Sequence, residues 1–138
     1  MLRRLLDDQA SLAVSGGFDV VVHHPKSLGG PHAAEKLGVP ALAGLLLPLH
    51  LPTSAFCSPI LPVRVPPVLN RVSWRVSSSV EAAYRSTVRA WRRERLGLRG
   101  AFRPMAGHIG KGAVLHAWSA ELLPAPGDWP DEARPTGF

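Results

Sequence analysis

Residues 18–40 constrain the fold more than any other stretch of the chain. Asp19-Val20-Val21-Val22 is a β-branched run that predicts a strand buried on both faces, and His23-His24-Pro25-Lys26 ends it with a residue unable to donate to a ladder. Pro31 after Gly30 suits a first helical turn, where its missing N–H costs nothing. Gly38 and then Pro40 mark the end of a helix only about two turns long. A second apolar run, 39–47, follows. The unit predicted is strand, helix, strand, the right-handed crossover of parallel α/β sheets. Ligands of such sheets bind at the carboxyl ends of the strands, here the loop from His23 to Gly30.

With 138 residues the chain has room for one modest domain that buries roughly two thirds of its unfolded surface, and two full domains are excluded. A 46% hydrophobic fraction argues against wholesale disorder. Cys57 is the sole cysteine, which excludes an intramolecular disulfide and a cysteine-based zinc site. The longest apolar run, 39–51, is interrupted by prolines, Gly44 and His50 and is too short to span a bilayer. No signal pattern is read at Met1, and a cytoplasmic location is expected. The net charge of +6 arises mostly from nine arginines between Arg71 and Arg103. They read as a solvated helix face, with a peripheral membrane or nucleotide contact as the competing reading. Nucleic acid is not expected as a partner, because no aromatic platform alternates with the basic residues.

Around the central unit, Leu2, Leu5, Leu6, Ala10 and Leu12 or Ala13 recur at helical spacing, and Gly16-Gly17 ends that helix. Helix, Gly-Gly, strand is how a repeating α/β unit continues, so the chain is expected to begin partway through a domain. Residues 48–67 carry Pro48, Pro52, Pro59, Pro62, Pro66 and Pro67, a density that rules out a continuous helix or central strand. Asn70 is placed as the N-cap of the longest helix, with a core stripe of Val72, Val76, Val80, Ala83 or Tyr84, Val88 and Trp91. Arg75, Glu81, Arg85, Arg89, Arg92 and Arg93 take its other side, a break is expected at Ser77-Ser78-Ser79, and Gly97 ends it. Residues 113–118 read as a short buried strand, and 134–138 as a last one.

The chemical motifs are few. Gly107-His108-Ile109-Gly110-Lys111-Gly112 fails as a phosphate loop, since Met105 stands where the first glycine belongs and Gly112 where a hydroxyl belongs. No Gly-x-Ser-x-Gly elbow exists, which disfavours a serine hydrolase. Adjacent strand residues point to opposite faces, so His23 and His24 are not expected to share a metal ion, and no metal is expected. His24 at a strand's carboxyl end is a candidate ligand contact, and a structural histidine is the competing reading.

Several blocks together resemble one family. Val22-His23-His24-Pro25-Lys26-Ser27-Leu28-Gly29-Gly30-Pro31-His32, with Ala34-Glu35-Lys36-Leu37-Gly38-Val39-Pro40-Ala41, resembles the amino-terminal domain of sterol 3-beta-glucosyltransferases and related bacterial enzymes that glycosylate lipophilic acceptors. Pro52-Thr53 with Phe56 and Ser58-Pro59, Asn70-Arg71 with Ser73, and Leu122-Leu123-Pro124 with Asp128-Trp129-Pro130-Asp131 and Thr136-Gly137-Phe138 follow in the same order. The resemblance implies an α/β fold, a partial Rossmann-like parallel sheet with flanking helices belonging to a GT-B amino-terminal domain. Residues 1–138 would form the later half of an acceptor-binding domain, with 48–67 a proline-rich loop and 128–138 the start of an interdomain linker.

The implied reaction moves a sugar, with inversion, from a nucleotide sugar such as UDP-glucose to a hydroxyl of a sterol or polyketide, without a metal or other cofactor. The acceptor-side residues so implied are His24, Pro25, Lys26, His50, Thr53 and Phe56. In plant relatives an aspartate that orients the catalytic base stands where this chain has His24. The family's glycine-rich loop bearing that base and its His-x-Gly-x-Gly-Thr donor loop have no counterpart here. No catalytic residue is therefore assigned, the chain is expected to be inactive alone, and a separate chain carrying the donor domain is an expected partner. The alternative is a non-catalytic binding module for a lipophilic or anionic partner.

Overall fold

The computed structural model describes residues 2–100, 103, 105–109, 114–133 and 135–137. Strand β1 (Val21–His23) leads into helix α2 (Gly30–Leu37), which returns the chain to strand β2 (Ala41–Leu45). The two strands pair in parallel with Val21 opposite Ala41 and His23 opposite Ala43, so the crossover read from the sequence is present. Strand β3 (Val114–His116) adds parallel to the other side of β2, giving an open three-stranded sheet of order β1-β2-β3. Beyond it Pro135 makes a single parallel bridge to His116, and Thr136 and Gly137 donate to the carbonyls of His116 and Trp118. That much of the expected last strand forms; its ends, 134 and 138, lie outside the described residues, as does Ala113.

The local chemistry of α2 explains its two ends. Gly38 adopts φ 73°, and its N–H reaches the carbonyls of Ala34 and Glu35, closing the last turn as only glycine does cheaply. Gly30 is needed for a different reason. A Cβ there would come within 2.5 Å of the His23 Cβ, so the amino end of α2 lies directly on β1. Helix α1 (Leu2–Ser15) packs on α2 and buries Leu6, Ala10 and Ala13.

Beyond the proline-rich loop, a 3-10 turn at Pro67–Leu69 opens a chain of short helices: α3 (Asn70–Ser73), α4 (Arg75–Ala82) and α5 (Arg85–Trp91). A π-helical turn at Arg92–Leu96 then ends at Gly97. Helix α6 (Met105–Ile109) precedes β3. Val88 and Trp91 join Leu6, Ala10, Ala13, Ala33 and Leu96 in a core between helices. A second core lies against the sheet, where Ala43, Leu45 and Val114 meet Leu51, Met105, Trp118, Trp129 and Ala133. Burying each large side chain of these cores contributes about 1.5–3 kcal/mol.

Four expectations are corrected. The sheet is buried on one face only: His23, Ala43, Leu45, Val114 and His116 point inward, whereas Val22 on the other face is 59% exposed and Leu115 is also exposed. The β-branched run reported strand propensity, which is blind to whether a second layer covers the sheet. The long helix breaks at Trp74, whose indole turns onto the loop and donates to the Phe56 carbonyl at 3.2 Å, and again around Ala83 and Tyr84, not at 77–79. Its upper stripe is open, with Val72, Val80 and Tyr84 exposed. Asn70 is not a cap: the turn at Pro67 already starts the helix and supplies an acceptor for the Asn70 N–H. Its side chain donates instead to the Ser54 carbonyl at 2.9 Å.

The last correction concerns the arginine face. Arg92 is buried, donating from both terminal nitrogens to Glu35, at 2.7 and 3.1 Å, and also to His32 Nδ1. Because that nitrogen accepts, His32 carries its proton on Nε2 and is neutral. Its 3.9 Å approach to Glu35 is therefore not an ion pair. Burial and the neighbouring guanidinium push the His32 imidazole down to about 3. His116 is buried between the rings of Trp118 and Trp129, at centroid distances of 4.3 and 4.6 Å. Among the described residues neither of its ring nitrogens makes a hydrogen bond of normal geometry.

Two outcomes are expected. Gly30→Ala must push α2 off β1 and should destabilise the fold by about 1–3 kcal/mol in urea unfolding; an unchanged midpoint would remove the close-approach argument. Burial holds the His116 imidazole down to about 4. Below the unfolded-state value, about 6.5, the unfolded chain therefore binds a proton that the folded chain refuses. Stability is full above that value and falls as pH drops towards about 4. His116→Phe should flatten this acid-side slope, leaving the share that belongs to His32 and to His23, His24 and His108, whose imidazole pKa values burial also lowers. An unaltered slope between those values would count against it.

Candidate functional site

The loop after β1 is a tight polar turn. His24 Nδ1 accepts the Lys26 backbone N–H at 3.1 Å, Ser27 N–H donates to the His24 carbonyl at 2.8 Å, and Gly30 N–H donates to the Ser27 carbonyl at 3.0 Å. This folds Pro25 inward and leaves His24 and Lys26 at the surface. The loop after β2 is apolar. Leu46 and Leu47 are 63% and 60% exposed, and Leu49 N–H bonds back to the Leu47 carbonyl at 2.8 Å. Between the two loops lies a cleft of about 260 Å³, walled by His24, Pro25 and Lys26 on one side and by Leu45, Leu46, Leu47, Leu49 and His50 on the other. It sits at the carboxyl ends of adjacent parallel strands, where the crossover rule locates ligands.

Two imidazoles set the polarity of this cleft. His24 Nδ1 is an acceptor, so the ring offers Nε2–H, and burial with the nearby Lys26 and His50 lowers its pKa. His50 Nδ1 lies 3.2 Å from Glu81 Oε1. A carboxylate can only accept, so Nδ1 carries a proton, and in the neutral tautomer Nε2 keeps a lone pair. The other oxygen of Glu81 accepts the Met105 N–H at 2.5 Å, fixing the carboxylate between α4 and α6. A donor and an acceptor beside a leucine wall can hold a largely apolar molecule by a hydroxyl group.

Thr53 and Phe56 do not line this cleft. Thr53 is fully buried and its Oγ1 donates to Asp128 Oδ1 at 2.6 Å. Ser54 donates to Asp128 Oδ2 through both its N–H and its Oγ, each at 2.8 Å, and Arg71 lies 3.3 Å from the same oxygen. The Thr53 hydroxyl and then the Ser54 N–H hold the Asp128 carboxyl down to about 2. Phe56 packs between the rings of Trp74 and Trp129. Thus the residues expected on the acceptor side divide: four share the cleft, and two belong to a clamp that fixes the proline-rich loop.

Glu81 is the functional residue that sequence reasoning missed, because helical spacing put it on the solvated face. One signal was available, since Glu81 is the only acidic residue between Glu35 and Glu94. A lone carboxylate amid many arginines is a candidate for a specific task. Among the described residues no group of three or more His, Cys, Asp or Glu could hold a metal ion, and no helix is long and apolar enough to cross a membrane. Of the failed phosphate-loop motif, Gly107, His108 and Ile109 lie on α6, and 110–112 fall outside the described residues.

No family model matches the chain. It is similar to a sterol 3-beta-glucosyltransferase of Arabidopsis thaliana, 31% identical over 129 residues, which covers 91% of this chain and 20% of that protein. It is also similar to a sterol 3-beta-glucosyltransferase of Leptosphaeria maculans, 27% identical over 141 aligned positions, covering 99% of this chain and 10% of that protein. The chain thus spans a fifth or less of the length of these relatives. The similarity supports a partial, glycosyltransferase-like relationship, and the open parallel sheet with its helices is compatible with a Rossmann-like fragment.

The clamp yields a prediction about stability. Asp128→Ala leaves the Thr53 hydroxyl and the Ser54 N–H without their acceptor and should cost about 2–3 kcal/mol in denaturant unfolding. Asp128→Asn, which keeps the shape but not the charge, should cost less. Equal stability of all three proteins would show that the loop is held by its apolar contacts alone.

Proposed function

We propose that this chain is the acceptor-side portion of an inverting glycosyltransferase of GT-B architecture. On this reading the cleft between the β1 and β2 loops receives a lipophilic acceptor such as a sterol or polyketide. The donor is a nucleotide sugar, UDP-glucose, held by a donor-binding domain outside this chain, so the chain alone does not transfer the sugar. The observation that carries the reading is the pairing of a leucine wall with His50, whose Nδ1 is engaged by Glu81 and which in its neutral tautomer accepts from a hydroxyl through Nε2. Similarity to sterol 3-beta-glucosyltransferases along nearly the whole chain points the same way.

Mechanistically, the chain's part is positioning. The apolar body of the acceptor lies against Leu46, Leu47 and Leu49, while His50 and His24 fix the direction of its hydroxyl. Holding that oxygen in one orientation converts an encounter between two substrates into a directed attack. No proton transfer is assigned to either imidazole.

Titration of the purified chain with a fluorescent sterol, followed by energy transfer from tryptophan, tests the reading. Saturable binding is expected, weakened by about tenfold in His50→Ala and in Leu46→Asp. Binding that is absent, or indifferent to both changes, would sink the assignment of the cleft. Glucosylation of a sterol by the chain alone would overturn its inactivity.

A further inference from the structure

A second cavity, of about 550 Å³, opens between α2 and the residues Arg92, Arg99, Gly100, Arg103 and His108. Ala34, Val39 and Ala41 form its apolar floor, while Arg92, Arg99, Arg103 and His108 converge on it from the other side. The charges do not cancel. Glu35 is the single carboxylate in the lining, and both its oxygens are taken by Arg92. Among the described residues Arg99 and Arg103 form no ion pair, whereas Arg3, Arg71 and Arg95 each meet a carboxylate. Two uncompensated guanidiniums therefore face one concave space, an arrangement that raises the local concentration of anions.

One further observation bears on the cavity. Arg92, 3% exposed, is locked by Glu35 and His32, so one wall is rigid before anything binds. Guanidinium forks match the oxygens of phosphate, and two of them balance a double negative charge.

We propose that this cavity binds a dianion of the phosphate class, a phosphate monoester or a diphosphate, with Arg99 and Arg103 gripping its oxygens. The apolar floor of Ala34, Val39 and Ala41 then takes the organic part of the ester. The proposal is independent of the acceptor cleft, which it shares no residue with.

Calorimetric titration of the full chain with pyrophosphate, at constant ionic strength and with chloride as the control anion, tests it. Saturable binding is expected, and the double variant R99A/R103A should lose about a hundredfold in affinity. Both arginines are exposed, so the variant should keep the wild-type unfolding midpoint and its sterol titration. Phosphatidylcholine vesicles with and without phosphatidic acid identify the source of the phosphate. Co-sedimentation that pyrophosphate competes away assigns it to a lipid headgroup, and binding of pyrophosphate without co-sedimentation assigns it to a soluble ester. The proposal is overturned if neither probe binds saturably, or if R99A/R103A binds pyrophosphate as the wild type does.

Discussion

The carboxylate of Asp128 is the point on which the two halves of the molecule depend. A loop carrying six prolines cannot enter a sheet ladder, so its position has to be set by individual acceptors. Asp128 supplies two oxygens to four donors from Thr53, Ser54 and Arg71. Asn70, Ser73 and Trp74 then bind the next turns of the loop, through the Ser54 carbonyl, the Ser58 N–H and the Phe56 carbonyl. His50, at the loop's start, is held from the helical side by Glu81. One wall of the candidate cleft is in this way carried by side chains that never touch it.

This division explains what the sequence disclosed. The crossover was legible because its punctuation is local: Pro25 stops β1, Gly30 and Pro31 open α2, and Gly38 closes it. The placement of His24, Pro25, Lys26 and His50 around one cleft followed from the carboxyl-end rule together with the family resemblance. Properties that depend on distant neighbours were not legible. Whether Val22 is covered, whether Arg92 meets Glu35 57 residues away, and whether Trp74 leaves its helix for the loop are settled by packing, which a helical wheel does not contain.

The blocks that carry the likeness to sterol glucosyltransferases do two different jobs. His24-Pro25-Lys26 shapes a surface, whereas Pro52-Thr53, Asn70-Arg71 and Asp128-Trp129 meet in the clamp. Part of the resemblance therefore reports the requirements of folding, since a buried threonine and its carboxylate partner tolerate little change whatever the cleft holds. The arginine-rich segment divides similarly: Arg92 is an internal strut, whereas Arg99 and Arg103 are exposed and form no ion pair among the described residues.

The clamp also separates two kinds of contact by their distance along the chain. The crossover pairs strands close in sequence, so β1, α2 and β2 can associate with little loss of chain entropy. Thr53 and Asp128 are 75 residues apart, and their contact closes a large loop before any reward is collected. The cleft draws on both: its His24 side rests on the local crossover, and its His50 side opens the loop that the long-range contact holds.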